Sequence, residues 1–349
     1  MNKLFSHFKI FYNPKSLKNF KFKSTMQAVL VNDSKMFIEN VEKVKLKLPR
    51  DILVKVEATS INRADILQRK GLYPPPNGES RILGLEASGI VVETGVGCQK
   101  FRVGDCVAGI LSGGGYAEYV CSDERNFFKV PNAMSLISAA AIPEVWITAY
   151  QLIHTISNSQ AGDTILVHAA GSGVGTAAVQ LAKHAKLTVY TTAGSESKLE
   201  KIKQLGGDVM INYKDQKFDE IILKRTQGNG VNVILDCVGG SYISQNLNSL
   251  AMDGKWILYG FLGGHNVESK FLLKLFAKRA QLTATTLRTR SIEYKGELIK
   301  SLENDILPYF GTGKLNPIID KVLDWTNVNE AHAYMESNQS FGKIILKIS

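Results

Sequence analysis

The sequence is short of cysteine, lacks long apolar runs and has no acidic residue in its first 25 positions. Its 349 residues include four cysteines, none in a C-x-x-C spacing, so neither a zinc finger nor a thioredoxin-like motif is indicated. Scattered cysteines of this kind are typical of a reducing compartment. No stretch approaches the roughly 20 apolar residues that a membrane-spanning helix requires. The composition is that of an ordinary globular protein, long enough for two domains.

The positive charge is concentrated at the N-terminus. The formal net charge is +10, but residues 1–25 hold six lysines and no acidic residue, which leaves +4 for the remainder. A body so close to neutral argues against a nucleic-acid partner. The extension lacks the apolar core of a secretory signal, and it fits equally a mitochondrial transit segment without arginine or a disordered tail before Met26. We expect a cytoplasmic protein, with mitochondrial import through residues 1–25 as the alternative.

The most informative motif is a glycine turn between an apolar run and a helix of small residues. The run Thr164–Ala170 reads as a buried strand and leads into Gly171-Ser172-Gly173-Val174-Gly175. Glycines there let the backbone approach a pyrophosphate, and the new helix offers free N–H groups and the positive end of its dipole. The spacing departs from G-x-G-x-x-G, and such a motif alone often marks only a turn. The expected pyrophosphate contacts are Ser172, Gly173, Val174 and Gly175.

The second strand of this unit lacks the acidic residue that would hold the ribose hydroxyls of NAD. Leu187–Thr192 is followed instead by Gly194, Ser195 and Lys198. A hydroxyl, an ammonium and a helix N-terminus all favour an anion, so the segment predicts a 2′-phosphate and therefore NADP. In the alternative, Ser195 only caps the following helix and Lys198 is solvated. Glu196 argues mildly against a phosphate.

Strands and helices then alternate as far as residue 287. This pattern predicts a parallel, doubly wound sheet, in which ligands bind at the carboxyl ends of the strands. Gly239, Phe261 and Gly263 follow such ends and are expected near the cofactor, although each can also serve a tight turn. The later strands are expected at Asp208–Tyr213, Val231–Asp236, Lys255–Gly260 and Gln281–Leu287.

The region before residue 143 has frequent short strands with glycine turns, which indicates an antiparallel β-barrel or sandwich. A strand at Gly342–Ile348 must pair somewhere, and the simplest arrangement returns the C-terminus to this β region. We therefore expect an extension at 1–25, a β domain of 26–143 and 285–349, and a nucleotide-binding domain of 144–284. The expected early strands are Ile52–Ala58, Gly89–Gly95, Val103–Gly109 and Gly115–Val120.

Three separated motifs occur in order: Asn62-Arg63-Ala64-Asp65, Gly84-Leu85-Glu86-Ala87-Ser88-Gly89 and the Ala170–Gly175 loop. With this domain order the chain resembles the medium-chain dehydrogenase/reductases, from Met26 to Ile348. It is most similar to the zinc-free quinone oxidoreductases related to ζ-crystallin, and Tyr73-Pro-Pro-Pro76 is similar to the tumour-suppressor-inducible group. The resemblance implies an α/β protein with a GroES-like β-barrel catalytic domain and a doubly wound Rossmann domain.

The resemblance also implies site residues. Asn62 stands where zinc-dependent members have a cysteine ligand, and Leu85 stands where they have a histidine, so no metal is expected. Asn62, Tyr73 and Thr148 would face the nicotinamide or the substrate, with Tyr73 as a hydrogen-bond donor to the acceptor oxygen. Gly194, Ser195, Lys198 and Tyr213 match the family's 2′-phosphate pocket. Lys343 resembles a lysine on the cofactor side, although an exposed strand lysine is commoner.

The expected function is transfer of hydride or electrons from NADPH to quinones, with ortho-quinones implied by the resemblance. A quinone needs no Lewis acid, because reduction yields a delocalised aromatic oxyanion. One alternative is an NADPH-dependent enone or alkenal reductase, and another is a catalytically weak, crystallin-like NADPH-binding protein. The family also implies a homo-oligomer, commonly a dimer formed through the edge strand Gln281–Leu287.

Overall fold

Two β-sheets organise the chain. The computed structural model describes residues 24–310 and 312–348, so the expected extension at 1–25 lies almost entirely outside the described residues. The choice between a cytoplasmic and a mitochondrial location accordingly stays a prediction. Within the described ranges no helix is long and apolar enough to cross a membrane.

The N-terminal part of the chain forms antiparallel strands joined by turns. The first two strands pair as a hairpin, and the remaining five build a sheet around the third, whose residues are almost all buried. One short α-helix, α1 (Arg63–Arg69), and a 3-10 turn at Glu124–Asn126 interrupt them. The strands are β1 (Thr25–Asn32), β2 (Lys35–Glu42), β3 (Asp51–Ser60), β4 (Glu86–Thr94), β5 (Cys106–Ile110), β6 (Tyr119–Asp123) and β7 (Phe127–Lys129).

Two helices carry the chain from the first sheet to the second. They are α2 (Leu136–Ala139) and α3 (Pro143–Tyr150), and α3 continues into a π-helical turn at Gln151–Ile156. Proline at the first position of α3 suits a helix start, where the backbone N–H has no intrahelical partner. Trp146 is 1% exposed and joins one apolar cluster with residues of both sheets. The helix α3 is therefore anchored between the two sheets.

The second sheet is parallel, with helices in its crossover connections. Its six strands run in the order β10-β9-β8-β11-β12-β13, which is a doubly wound arrangement starting from the first strand of the unit. The strands are β8 (Thr164–Val167), β9 (Thr188–Ala193), β10 (Val209–Asn212), β11 (Val231–Asp236), β12 (Leu250–Leu258) and β13 (Gln281–Ala284). The helices are α4 (Gly173–His184), α5 (Glu196–Gln204), α6 (Phe218–Arg225), α7 (Ile243–Ser249) and α8 (Phe271–Ala277).

The chain then returns to the first sheet, as the C-terminal strand pattern predicts. The remaining elements are α9 (Ile292–Asp305), α10 (Leu307–Phe310), β14 (Ile319–Asp324), α11 (Val328–Glu336) and β15 (Lys343–Lys347). The last strand pairs antiparallel with β3 and parallel with β14, which completes the sheet order β14-β15-β3-β4-β5-β7. This closure brings the C-terminus beside the glycine turn, where Ser172 forms a parallel bridge with Gly342.

Several expected strands differ from the observed ones. The strand expected at Lys255–Gly260 begins at Leu250 and ends at Leu258, and the one expected at Gln281–Leu287 ends at Ala284. The first parallel strand ends at Val167 and not at Ala170, because Ala169 has the left-handed backbone of a turn, with φ 48°. The strand expected at Gly115–Val120 begins only at Tyr119. The residues before it bond irregularly outside the ladder, with the Gly115 N–H donating to the Gly84 carbonyl at 3.0 Å.

Candidate active site

The glycine turn after β8 leads directly into the first turn of α4. The Ser172 hydroxyl caps the helix by accepting a hydrogen bond from the Gly175 N–H at 3.0 Å. The N–H groups of Gly173 and Val174 have no carbonyl partner further back in the helix. Together with the helix dipole they suit the pyrophosphate of a dinucleotide, so the residues present fit such a cofactor.

The glycines of this turn are required for different reasons. A Cβ at Gly175 would strike the Ala169 carbonyl oxygen, so glycine allows α4 to start tightly against the turn. A Cβ at Gly173 would lie 2.8 Å from the Lys343 Cδ and 2.9 Å from the Val145 Cγ1. Gly173 has no counterpart in the usual dinucleotide spacing, and the structure explains it by the returning strand β15.

The end of β9 brings together the residues expected around a 2′-phosphate. A Cβ at Gly194 would lie 2.7 Å from the Tyr213 hydroxyl, so the backbone passes directly beside that ring. Ser195 precedes α5, but its side chain makes no capping bond, and its Oγ lies 3.2 Å from the Ser197 Oγ. The alternative in which the Ser195 side chain only caps α5 is therefore not observed.

Lys198 lies at the same place with two further lysines nearby. Its Nζ donates to the Asn338 carbonyl at 2.7 Å. Burial lowers the pKa of Lys198, Asp320 raises it, and Lys201 and Lys214 lower it further. This concentration of positive charge suits an anion.

Glu196, the residue that argues against a phosphate at this place, is engaged elsewhere. Its Oε1 accepts from the Asn212 Nδ2 at 3.1 Å. The same Nδ2 also donates to the Asp215 Oδ2 at 2.7 Å. The carboxylate is therefore directed toward the end of β10.

The loops after β11 and β12 form the neighbouring part of the same sheet edge. The buried Asp236 carboxylate accepts from the N–H groups of Val238 at 2.7 Å and Gly239 at 3.0 Å, and so fixes the turn in which Gly239 has φ 73°. Gly263 donates to the Val238 carbonyl at 2.7 Å, and Phe261 is 58% exposed. Gly239, Phe261 and Gly263 thus lie at the strand ends where the cofactor is expected.

His168, directly after β8, is a fully buried polar residue. Its Nδ1 lies 3.0 Å from the Thr192 Oγ1 and its Nε2 lies 2.7 Å from the Asn246 Oδ1. Both ring nitrogens are therefore partnered, and His168 has no free nitrogen for catalysis.

Across the cleft, a buried polar network surrounds Glu86. Its Oε1 accepts from the Ser60 hydroxyl at 2.5 Å, the Asn62 Nδ2 at 2.7 Å and the Lys343 Nζ at 2.9 Å. Lys343 also donates to the Asn62 Oδ1 at 2.7 Å and the Ile61 carbonyl at 3.0 Å. The three ammonium protons of Lys343 are therefore all donated within this network. Only the aliphatic part of its side chain, which lies beside Gly173, is left to contact a cofactor.

Tyr73 is half-buried below an arginine from the end of the parallel sheet. The Arg288 guanidinium carbon lies 5.3 Å from the centre of the Tyr73 ring. Burial raises the pKa of Tyr73, Arg288 opposes this rise and Glu144 adds to it. The phenol is therefore a weaker acid than a free tyrosine, which suits a hydrogen-bond donor better than a proton donor.

Helix α3 places Glu144 one turn before Thr148, on the same side of the helix. The Glu144 N–H donates to the Glu86 Oε2 at 2.9 Å. Burial raises the pKa of the Glu144 carboxyl to about 8, and the negative charge of Glu86 adds to the rise. The α3 end of the cleft thus holds a carboxyl that carries its proton at neutral pH.

A cavity of about 450 Å³ is lined by the proline loop that follows Tyr73. It borders Gln68, whose Oε1 accepts from the Arg288 Nη2 at 2.6 Å. Its other walls include Gly71, Pro74, Pro75, Pro76 and Arg81. The cavity is therefore linked to Arg288 through Gln68.

The chain matches known families and proteins over nearly all of this architecture. Residues 48–132 match the alcohol dehydrogenase GroES-like domain and residues 173–304 match the zinc-binding dehydrogenase family. Quinone oxidoreductase-like protein 2 of Bos taurus is 31% identical over 303 residues, covering 86% of each chain.

Among solved structures, the quinone oxidoreductase of Pseudomonas syringae is 27% identical, with a TM-score of 0.80 over 93% of this chain and 99% of the other. CurK enoyl reductase is also 27% identical, with a TM-score of 0.82 over 94% and 100%.

The chain belongs to the medium-chain dehydrogenase/reductase superfamily. It is an oxidoreductase of that family, which binds a nicotinamide cofactor, and the expected GroES-like and Rossmann architecture is confirmed.

The zinc that one family description names does not fit the residues present. A catalytic zinc needs about three nitrogen, sulfur or oxygen ligands. Across residues 24–310 and 312–348, no three His, Cys, Asp or Glu side chains converge to hold a metal. Glu86 already accepts hydrogen bonds from Ser60, Asn62 and Lys343. The positions of Asn62 and Leu85 carry neither a thiolate nor an imidazole that could bind zinc.

Sequence reasoning missed three charged residues of the cleft: Glu144, Arg288 and Lys295. Glu144 is the single charge in the otherwise apolar run Ala139–Ile147, and that isolation was a usable signal. Arg288 follows β13, so the rule that ligands bind at the carboxyl ends of parallel strands already pointed to it. Nothing in the sequence indicated Lys295, because it lies inside the amphipathic helix α9.

Proposed function

We propose that this protein is an NADPH-dependent quinone reductase that works without a metal ion. The observation that carries the proposal is the group of hydrogen-bond donors that Tyr73, Glu144 and Arg288 provide, which we call the acceptor end of the site. Among the described residues no three His, Cys, Asp or Glu side chains converge to hold a metal. A quinone becomes a delocalised oxyanion on reduction, so donors of this kind suffice where a ketone would need a Lewis acid.

The preference for NADPH is supported by the end of β9. No acidic residue lies there to hold the ribose hydroxyls, and Glu196 is directed toward Asn212. Ser195 and Lys198 would hold the 2′-phosphate, with Lys201 and Lys214 adding positive charge.

The other parts of the cofactor are assigned to the glycine turn and the neighbouring loops. Ser172 to Gly175 would hold the pyrophosphate, Tyr213 would flank the adenine, and Gly239, Phe261 and Gly263 would border the nicotinamide half. Bound NADPH supplies a hydride. Asn62 and Thr148 would orient the nicotinamide, and Tyr73 would donate a hydrogen bond to the acceptor oxygen.

A second candidate function is reduction of activated alkenes such as enones. It is favoured by the similarity to CurK enoyl reductase. Hydride attack on an enone also produces a stabilised anion, so the same donors would serve it.

The test is consumption of NADPH by the full chain with ortho-quinones, para-quinones and enones, each also measured with NADH. We expect the largest kcat/KM for a quinone with NADPH. A larger kcat/KM for an enone would favour the alkene reductase over the quinone reductase. NADPH binding without turnover of any acceptor would identify a crystallin-like binding protein.

We also propose a homodimer formed through β13. All four residues of this edge strand are exposed, and Leu272 and Phe276 of the adjacent α8 are 74% and 82% exposed. An open edge strand next to an apolar face is suited to pair with the same strand of a second copy.

A further inference from the structure

We propose that Glu144 and Arg288 act together on the acceptor, with Glu144 donating the proton and Arg288 holding the reduced oxygen. This inference rests on the proposed reductase function. It assigns to two side chains the roles that a Lewis acid and a proton relay have in a metal-dependent reductase.

Each of the two side chains has one buried polar atom without a partner. The Glu144 Oε2 and the Arg288 Nη1 make no hydrogen bond with any described residue. Arg288 is only 3% exposed. Buried polar groups are nearly always paired, so two unpaired ones whose side chains interact electrostatically indicate a ligand that would pair with both.

The rest of the Arg288 side chain is held in place. Its Nε donates to the Ser112 carbonyl at 2.9 Å and its Nη2 donates to the Gln68 Oε1 at 2.6 Å. Its guanidinium also lies over the Tyr73 ring. With two nitrogens fixed, the N–H groups on Nη1 have a set direction, which favours a specific oxyanion over general attraction of negative charge.

The neighbouring Lys295 adds positive charge, but its ammonium already donates hydrogen bonds within the protein. Its Nζ donates to the Arg288 carbonyl at 2.8 Å and to the Ser112 hydroxyl at 3.2 Å. Lys295 thereby fixes the backbone from which Arg288 projects. An acceptor oxygen that gains charge at this place would be stabilised by both cations.

The charges around Glu144 come from β4 and β15 of the first sheet, from α1 and from α9. Burial and the carboxylates of Glu86 and Asp65 raise the pKa of Glu144, while Lys343 and Lys295 lower it. Burial lowers the pKa of Arg288, and Glu144 opposes that shift, while burial raises the pKa of Tyr73 and Glu144 adds to that rise. Since the balance leaves Glu144 protonated at neutral pH, it can act as an acid.

The step balances without another reactant. When a quinone has accepted a hydride, it is a hydroquinone monoanion whose oxygen carries the negative charge. The O–H bond of Glu144 breaks, its proton passes to that oxygen, and the neutral hydroquinone and the Glu144 carboxylate remain. The carboxylate regains a proton from solvent before the next turnover.

The first test is infrared spectroscopy of the full chain without cofactor. At pH 7 we expect the carbonyl band of a protonated carboxyl that is absent in Glu144→Gln, kept in Glu330→Gln and lost near pH 8. Glu330 is an exposed residue of α11 and serves as the control. A wild-type spectrum identical to that of Glu144→Gln in this region would overturn the role of Glu144.

The second test is binding of nitrocatechol, a phenolate probe shaped like a reduced ortho-quinone. We expect Arg288→Met to weaken its binding by about tenfold or more and Lys129→Met, an exposed control, to leave it unchanged. Equal binding by wild type and Arg288→Met would overturn the role of Arg288.

The third test is turnover, which separates this pair from the proposed function. Glu144→Gln should reduce kcat for a quinone by about 100-fold, with the loss of activity near pH 8 removed and NADPH affinity unchanged. An unchanged kcat and pH profile would contradict the proton donor. If wild type reduces no quinone, the quinone proposal fails, while the infrared and nitrocatechol results still decide the two side chains.

Discussion

The two ends of the cleft are built in different ways. The cofactor end consists of backbone N–H groups and consecutive residues, such as the Ser172–Gly175 turn, which one strand and one helix position. The acceptor end consists of side chains from distant segments, where Tyr73, Glu144 and Arg288 meet only after both sheets have formed.

This difference separates binding from reaction. The cofactor end depends mainly on local conformation, with the returning C-terminal segment packed against it at Gly173 and Lys198. The acceptor end depends on tertiary packing, above all on the buried Glu86 and Lys343 pair through which β4, β15 and α3 contact one another.

The largest expected effect comes from breaking the Glu86–Lys343 pair that supports the acceptor end. Lys343→Met leaves the Glu86 carboxylate buried without its ammonium, and we expect the free energy of unfolding to fall by about 3–5 kcal/mol. Denaturant unfolding measures it. Lys129→Met, which breaks the exposed pair with Asp105, should cost less than about 1 kcal/mol. Equal losses of unfolding free energy in the two variants would mean that the buried pair stabilises the fold no more than an exposed one.

The next effect is confined to the cofactor end. Lys198→Ala should weaken NADPH by about 10- to 100-fold, because a charge-assisted hydrogen bond to the 2′-phosphate is worth about 1.5–3 kcal/mol. NADH affinity should hardly change. Isothermal titration with both cofactors measures the difference, and Lys203→Ala on the same helix is the control. Equal losses for NADPH and NADH would remove the phosphate assignment.

A smaller effect isolates the acceptor end through pH. The pKa of Glu144 is raised to about 8 from 4.5, so the folded state binds more protons than the unfolded state between these values. Wild-type stability should therefore fall as pH rises from 5 to 8, by about 1–2 kcal/mol more than that of Glu144→Gln. Parallel stability curves for the two proteins would contradict the raised pKa.

The smallest effect lies outside both ends. Leu282→Asp places a charge on the open edge of β13, and we expect the dissociation constant of the dimer to rise by about tenfold, or about 1.4 kcal/mol. Analytical ultracentrifugation measures it. NADPH affinity should be unaffected, and a wild-type protein that is monomeric at every concentration would refute the dimer.

The sequence predicted the cofactor end better than the acceptor end for a physical reason. Val231–Asp236 and the glycine turn follow local rules of periodicity and backbone freedom, and the strand matches its predicted bounds. The electrostatic interaction of Glu144 with Arg288 depends on packing between segments more than 140 residues apart, which no local pattern encodes. Lys343 was open to two interpretations, and only the returning strand revealed that it is buried.

The comparison is tested most directly by single-turnover reduction of an ortho-quinone at saturating NADPH. The account predicts that Lys198→Ala reacts at nearly the wild-type rate once its weaker cofactor binding is saturated, whereas Glu144→Gln stays about 100-fold slower. A wild-type protein that transfers no hydride to the quinone, or a Glu144→Gln variant as fast as wild type, would contradict it.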